Sequence, residues 1–277
     1  MFIIMATRII VAVIAIPLLM LLIFLAPLWG FSIAVGIISA GAAWELLRCV
    51  DPKAPKRFRV YASAVGFITP VACAFVSGSI VTNTGIFLLT LIMFCELMLS
   101  FRGEEHIKLQ TVLQVLFAGG IMPLLLASLV RVGLRDNWSV YLFLPFVAAF
   151  SSDSGGYFAG RFFGKRKAFP HLSPNKTIAG CVGGFVSAIG FMLLYGFVLT
   201  RFDYTVSYAA LALYGLFGSL ACQLGDLAFS AVKREYGIKD YGTLIPGHGG
   251  MLDRFDSMHF TAPMIEILVM LLPAIGR

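Results

Sequence analysis

The chain has 277 residues, 59% of them hydrophobic and only 13% charged, with a mean hydropathy of +0.91. A soluble domain carries about 25% charged residues, so this composition excludes a water-soluble fold. The formal charge of +7 raises nucleic acid as a partner, but the basic residues cluster in short loops between apolar runs, which points to a membrane surface and no nucleic acid.

The first ten residues hold a single Arg and lead into an apolar stretch that no small-residue cleavage site follows. A first spanning helix is therefore expected, and a removed signal peptide is not. Crossing ~30 Å of hydrocarbon takes about 20 apolar residues. Runs of that kind lie at 9–26, 29–47, 60–76, 86–100, 111–130, 140–161, 180–200, 208–232 and 258–275, which predicts an all-α fold of nine spans. The run at 86–100 is short and contains Glu96. With the N-terminus inside, 17 of the 21 basic residues fall on the inside, and only Arg131, Arg135, Arg201 and Arg277 fall outside. That bias sets the orientation and favours an odd number of spans.

Residues 1–138 read as a scaffold of lipid-facing helices, and 139–277 as the region that carries chemistry. Two polar loops, 164–179 and 233–257, face inside. The five cysteines (Cys49, Cys73, Cys95, Cys181 and Cys222) lack metal-ligand spacing and read as small core residues. The tandem Gly156, Gly160 and Gly164 suit close helix packing. Glu45, near an inside boundary, can snorkel to water, and the basic loop 48–59 is a topology determinant that meets anionic lipid head groups. Glu96 and Glu266 show no partner in the sequence.

In the helix expected at 208–232 and its continuation, Gln223, Asp226, Ser230, Lys233 and Arg234 recur at spacings of three and four, forming one polar stripe. An unpaired Asp at mid-helix costs roughly 2.5–3.5 kcal/mol, so Asp226 is a metal ligand or ion-pathway group, or else half of a buried ion pair. Asp153, near the middle of its span, carries the same alternatives. The next loop contains Lys239, Asp240, Gly247, His248, Gly249, Gly250, Asp253, Arg254 and Asp256. Its glycines let the backbone turn sharply and expose N–H groups to an anion. Asp253 and Asp256, at i and i+3, face one side if a helix starts there. Together with Asp226 they suit Mg²⁺, and the surrounding Lys and Arg suit a nucleotide triphosphate. A Gly-rich positive-inside turn would explain the Lys and Arg but not the aspartates among them.

The stretch Ser230-x-x-Lys233-Arg234-x4-Lys239-Asp240-x-Gly242-x3-Pro246-Gly247-His248-Gly249-Gly250-x-x-Asp253-Arg254-x-Asp256 resembles the signature of the phosphatidate cytidylyltransferases, and every fixed position is filled. The likeness extends upstream to Asp153 within 151–161 and to Ser173-Pro174-Asn175-Lys176-Thr177. It departs at Phe229, Tyr241, Asn175 and Ala179, where many members carry Glu, Ser, a basic and an acidic residue.

The resemblance implies transfer of cytidylyl from CTP to phosphatidic acid at the cytoplasmic membrane, in a polar funnel open to the cytoplasm and the inner leaflet. It implies Mg²⁺, as one or two ions, held by Asp226, Asp253 and Asp256, and leaves open a monovalent cation. Lys233, Arg234, Lys239 and Arg254 would serve the triphosphate, Asp240 would be a further metal candidate or orient the metal ligands, and His248 would bond phosphate or act as general acid. Asp153, Ser173, Lys176, Thr177, Ser230, Gly247, Gly249 and Gly250 would bind substrate. A homodimer is also implied. Two rivals remain, a CTP enzyme acting on an isoprenoid glycerol phosphate and an ion-coupled transporter using Asp153 and Asp226. A transporter would usually show paired broken helices or an internal repeat, and the sequence has neither.

Overall fold

The computed structural model describes residues 20–23, 25–75, 79–103, 106–134, 138–243 and 249–276. Most of these are helical. In chain order the helices are α1 (Leu28–Val50), α2 (Lys56–Phe75), α3 (Ser79–Ser100), α4 (Leu109–Val132), α5 (Trp138–Phe163), α6 (Ile178–Thr200), α7 (Tyr208–Glu235), α8 (Leu252–Phe255) and α9 (Met258–Leu271). Inside α4, a π-helical turn at Phe117–Ile121 separates α-helical stretches. The chain folds as two units, Met1–Leu134 with Tyr236–Phe255, and Arg135–Glu235 with Asp256–Arg277.

In the first unit, α1 follows the extended Pro27 and ends at Asp51 (φ −141°, ψ 77°). Pro52 comes next, and a residue before proline is driven out of the α region. The core gathers Phe31, Val35, Leu46 and Leu47 of α1, Phe58 and Ala62 of α2, Leu89 and Met93 of α3, and Val112, Val115 and Met122 of α4. On α3, Ile80, Phe87, Leu88 and Met98 point outward. Such a surface costs about 25 cal/mol per Å² in water and nothing comparable in lipid. Glu96 has a partner after all, because Arg57 donates to its two oxygens from Nε and Nη2 at 2.8 and 2.7 Å.

In the second unit, α5 lies along α6 and α7, with α9 against α7. A Cβ on Gly156 would stand 3.3 Å from the Gly180 carbonyl oxygen, so the tandem glycines of α5 do face α6. The core includes Leu142, Leu144, Met192, Leu211, Tyr214 and Ile265. The polar stretch after α5 is no plain loop. It forms an antiparallel hairpin of β1 (Lys167–Phe169) and β2 (Ser173–Thr177), with Lys167 opposite Thr177 and Phe169 opposite Ser173. A second short pair joins β3 (Thr205–Val206) to β4 (Ile275–Gly276).

Among the described residues, six helices are long and apolar enough to cross a membrane: α1, α2, α3, α4, α6 and α7. The expected span 86–100 is in fact the 22-residue α3, because the helix runs on through Thr82, Asn83 and Thr84. Most of the expected span 9–26 lies outside the described residues. Helix α5 has 26 residues but carries the polar run Ser151–Ser154 and is not among the six. Helix α9 has only 14 residues, about 21 Å at 1.5 Å per residue, and falls short of the hydrocarbon thickness. Its expected continuation to 275 fails because Leu272 precedes Pro273 and leaves the helix at φ −137°, ψ 69°.

Candidate active site

The stripe on α7 is real, and the β1–β2 hairpin meets it. Lys176 Nζ donates to Asp226 Oδ2 at 2.9 Å and to the Gln223 carbonyl at 3.3 Å. Lys176 is placed there by a local device. Thr177 ends the strand and caps α6, its Oγ1 accepting the Gly180 N–H at 3.0 Å. The lysine one residue before is thereby fixed relative to the helix start. Gln223 donates to Ser219 Oγ and to the Cys181 carbonyl, extending the polar line up α7.

Asp153 comes in from α5, where its Oδ1 accepts from Cys222 Sγ at 3.5 Å and feels the charge of Asp226. A cavity of about 650 Å³ opens over these groups, lined by Asp153, Lys176, Asp226, Ser173, Thr177 and Gln223, together with Tyr157, Arg161, Lys167 and Asn175. Arg161 donates to the Tyr157 hydroxyl one turn earlier, at 2.9 Å.

Further along the stripe, Lys233 Nζ stands 3.7 Å from Asp256 Oδ2, and Asp256 Oδ1 accepts the Ser257 N–H at 2.8 Å. Asp256 is buried. Burial pushes its carboxyl up to about 7, the like charge of Asp226 adds to that, and Lys233 opposes it. Ser230 is also buried and does not line the cavity. Arg234 leaves the stripe to donate from Nε to the Leu172 carbonyl at 3.3 Å, bracing the hairpin turn.

The rest of the expected site belongs to the first unit. Asp253 Oδ2 accepts two backbone N–H groups, from Tyr241 at 2.8 Å and Gly250 at 3.0 Å. Gly249 has φ +84°, a conformation that glycine adopts without penalty. Lys239, Asp240 and Arg254 are exposed. Gly247 and His248 lie outside the described residues. Helix α8 carries Asp253 and ends at Phe255, one residue before Asp256.

Among the described residues, no group of three or more His, Cys, Asp or Glu side chains is gathered tightly enough to hold a metal ion. The donor chemistry nonetheless suits a hard divalent cation. The charges of Asp153, Asp226 and Asp256 act on one another, and two ammonium groups, Lys176 and Lys233, stand against them.

Of the lining residues, Gln223 belongs to the stripe read from the sequence and Tyr157 and Arg161 to the 151–161 segment, whereas no motif singles out Lys167. Lys167 is visible in the sequence only as part of the positive-inside count. Glu45 also departs from expectation. It does not snorkel but is buried, and its two oxygens accept the N–H groups of Met251 and Leu252 at 3.0 and 2.9 Å.

Residues 6–272 match the model of a family described as the cytidylyltransferase family. Among curated relatives, a phosphatidate cytidylyltransferase of Bacillus subtilis (strain 168) is 46% identical over 131 residues, covering 47% of this chain and 48% of that protein. Proteins of the same name are 40% identical in Staphylococcus saprophyticus and 41% identical in Staphylococcus aureus (strain COL), each over 136 residues, 49% of this chain and 51% of theirs. The chain thus spans about half the length of the curated relatives it matches.

Proposed function

Because the chain belongs to the cytidylyltransferase family, we propose that it transfers the cytidylyl group of CTP to phosphatidic acid, giving CDP-diacylglycerol and pyrophosphate. The observation that carries this reading is the cavity where Lys176 meets Asp226 beside Asp153. Relatives whose names state that activity support it.

The nucleophile is an oxygen of the lipid phosphate monoester, already anionic near neutral pH because its second pKa is about 6. It bonds to the α-phosphorus of CTP while the bond from that phosphorus to the bridging oxygen breaks, and the electron pair leaves on pyrophosphate. No proton need be taken from the nucleophile, so no strong general base is required. The obstacle is electrostatic, and catalysis rests on positioning and charge neutralisation.

Lys176, with Arg161 and Lys167, supplies positive charge to the cavity, and the Ser173 and Thr177 hydroxyls orient phosphate oxygens. Asp226 and Asp256 are assigned to Mg²⁺, as one or two ions, with Asp153 beside them. When bound, the ion neutralises phosphate charge and polarises the reacting phosphorus. On the resemblance, Asp253 is a further metal ligand and Asp240 another candidate or an orienter of the ligands, while Lys239, Arg254, Gly249 and Gly250 serve the triphosphate, as do Lys233 and Arg234. His248 bonds phosphate. The positive-inside bias supports a place in the cytoplasmic membrane, with the N-terminus and a polar funnel facing the cytoplasm.

The test is transfer of label from α-labelled CTP to lipid by protein purified in detergent micelles. Phosphatidic acid should be labelled in the presence of Mg²⁺. Labelling only of an isoprenoid glycerol phosphate, or of neither lipid, would overturn the reading.

A further inference from the structure

Glu45, Arg48 and Cys49 sit in the last turns of α1 at i, i+3 and i+4, and so share one helical face. All three reach the main chain of Tyr241, Met251 or Leu252, 192 to 207 residues further along. Arg48 Nη2 and Cys49 Sγ each donate to the Tyr241 carbonyl at 3.2 Å, and Glu45 accepts from Met251 and Leu252. One helix face therefore grips the chain at Tyr241 and again at Met251 and Leu252.

The glycines record the same arrangement. A Cβ on Gly250 would stand 2.2 Å from Glu45 Oε2, and its three nearest atoms all belong to that carboxylate. A Cβ on Gly242 would stand 2.3 Å from Glu45 Oε1. Gly250 has no positive φ, so its backbone would accept alanine, and the obstacle is the carboxylate itself. A carboxylate taken out of water is costly unless hydrogen-bonded, and here each oxygen receives one backbone N–H. Asp253 ties Tyr241 and Gly250 together through their N–H groups.

We infer that Glu45 is a positioning residue for nucleotide transfer, its buried carboxylate serving as the template on which the backbone at Gly242 and at 250–252 is set. This gives the first unit a direct part in the chemistry, through a side chain that touches no substrate. The inference rests on the proposed cytidylyl transfer for its kinetic readout and on the hydrogen bonds for its structural one.

The experiment compares wild type with Glu45→Ala, Glu45→Gln, Gly250→Ala and the Glu45→Ala/Gly250→Ala double variant in micelles. Glu45→Ala should raise the CTP requirement by ~10-fold or more while the lipid requirement stays unchanged, and should speed exchange of the Met251 and Leu252 amide hydrogens. Glu45→Gln, which keeps one acceptor oxygen, should recover part of both. Gly250→Ala should be as damaging as Glu45→Ala, and the double variant no worse than Glu45→Ala alone, because the group that the new methyl strikes is gone. Unchanged CTP dependence and unchanged exchange in Glu45→Ala, or additive losses in the double variant, would overturn the inference. If wild type itself transfers no cytidylyl, the functional reading fails, and the amide exchange alone decides on the template.

Discussion

Replacing Lys176 by Met keeps the length of the side chain and removes its charge. At 2.9 Å the gross attraction to Asp226 is about 6 kcal/mol for an effective dielectric constant of about 20. Most of that is offset. The Asp226 side chain is 39% exposed and the Lys176 side chain 18%, so solvent screens the pair, and charged hydrogen bonds retain about 1.5–3 kcal/mol at most. The expected loss of stability is therefore about 1–2 kcal/mol, a shift of a few degrees in Tm. If the ammonium also meets phosphate charge that builds up in the transition state, turnover should fall by ~10²–10³, or about 2.7–4 kcal/mol. The two quantities are read separately, by thermal unfolding in micelles and by turnover per folded molecule. A variant that loses the expected stability yet turns over within ~3-fold of wild type would make the pair a structural one and refute the assignment.

Asp253→Asn should leave the protein folded and membrane-inserted but nearly inactive, and near-wild-type turnover in the purified variant would remove Asp253 from the metal assignment. Lys239→Ala should raise the CTP requirement more than the lipid requirement; a change confined to the lipid would place Lys239 on the other substrate. Asp256 gives a pH prediction. Its folded pKa of about 7 exceeds the ordinary 3.8, so the folded state binds more protons between those values and stability falls as pH rises through that window. In chelator, Asp256→Asn should then raise Tm at pH 8 and change it little at pH 4, and equal shifts at both would show that the carboxyl is not desolvated as described.

The stripe of Gln223, Asp226 and Lys233 was legible because helical periodicity alone puts those residues on one face of α7. The meeting of Asp226 with Lys176 was not, since 50 residues separate them and only the hairpin, anchored by the Thr177 cap, brings the lysine in. Glu45 escaped the sequence for a related reason. Depth along a span says that a carboxylate could reach water, but not that a loop some 200 residues later folds back to occupy it. Helix ends failed where hydropathy and backbone sterics disagree. Residues 272–275 are apolar enough to prolong α9, but Pro273 stops it, and Thr82–Thr84 look like a boundary yet lie inside α3.

The central claim is that the cavity holding Asp153, Lys176 and Asp226 is where CTP reacts with phosphatidic acid. The most direct test is the rate of CDP-diacylglycerol formation by purified wild type and Asp226→Asn, each with Mg²⁺ and with chelator. The expected result is a Mg²⁺-dependent rate in wild type that is almost abolished in a folded Asp226→Asn protein. A variant that retains the wild-type rate and its metal dependence would contradict it.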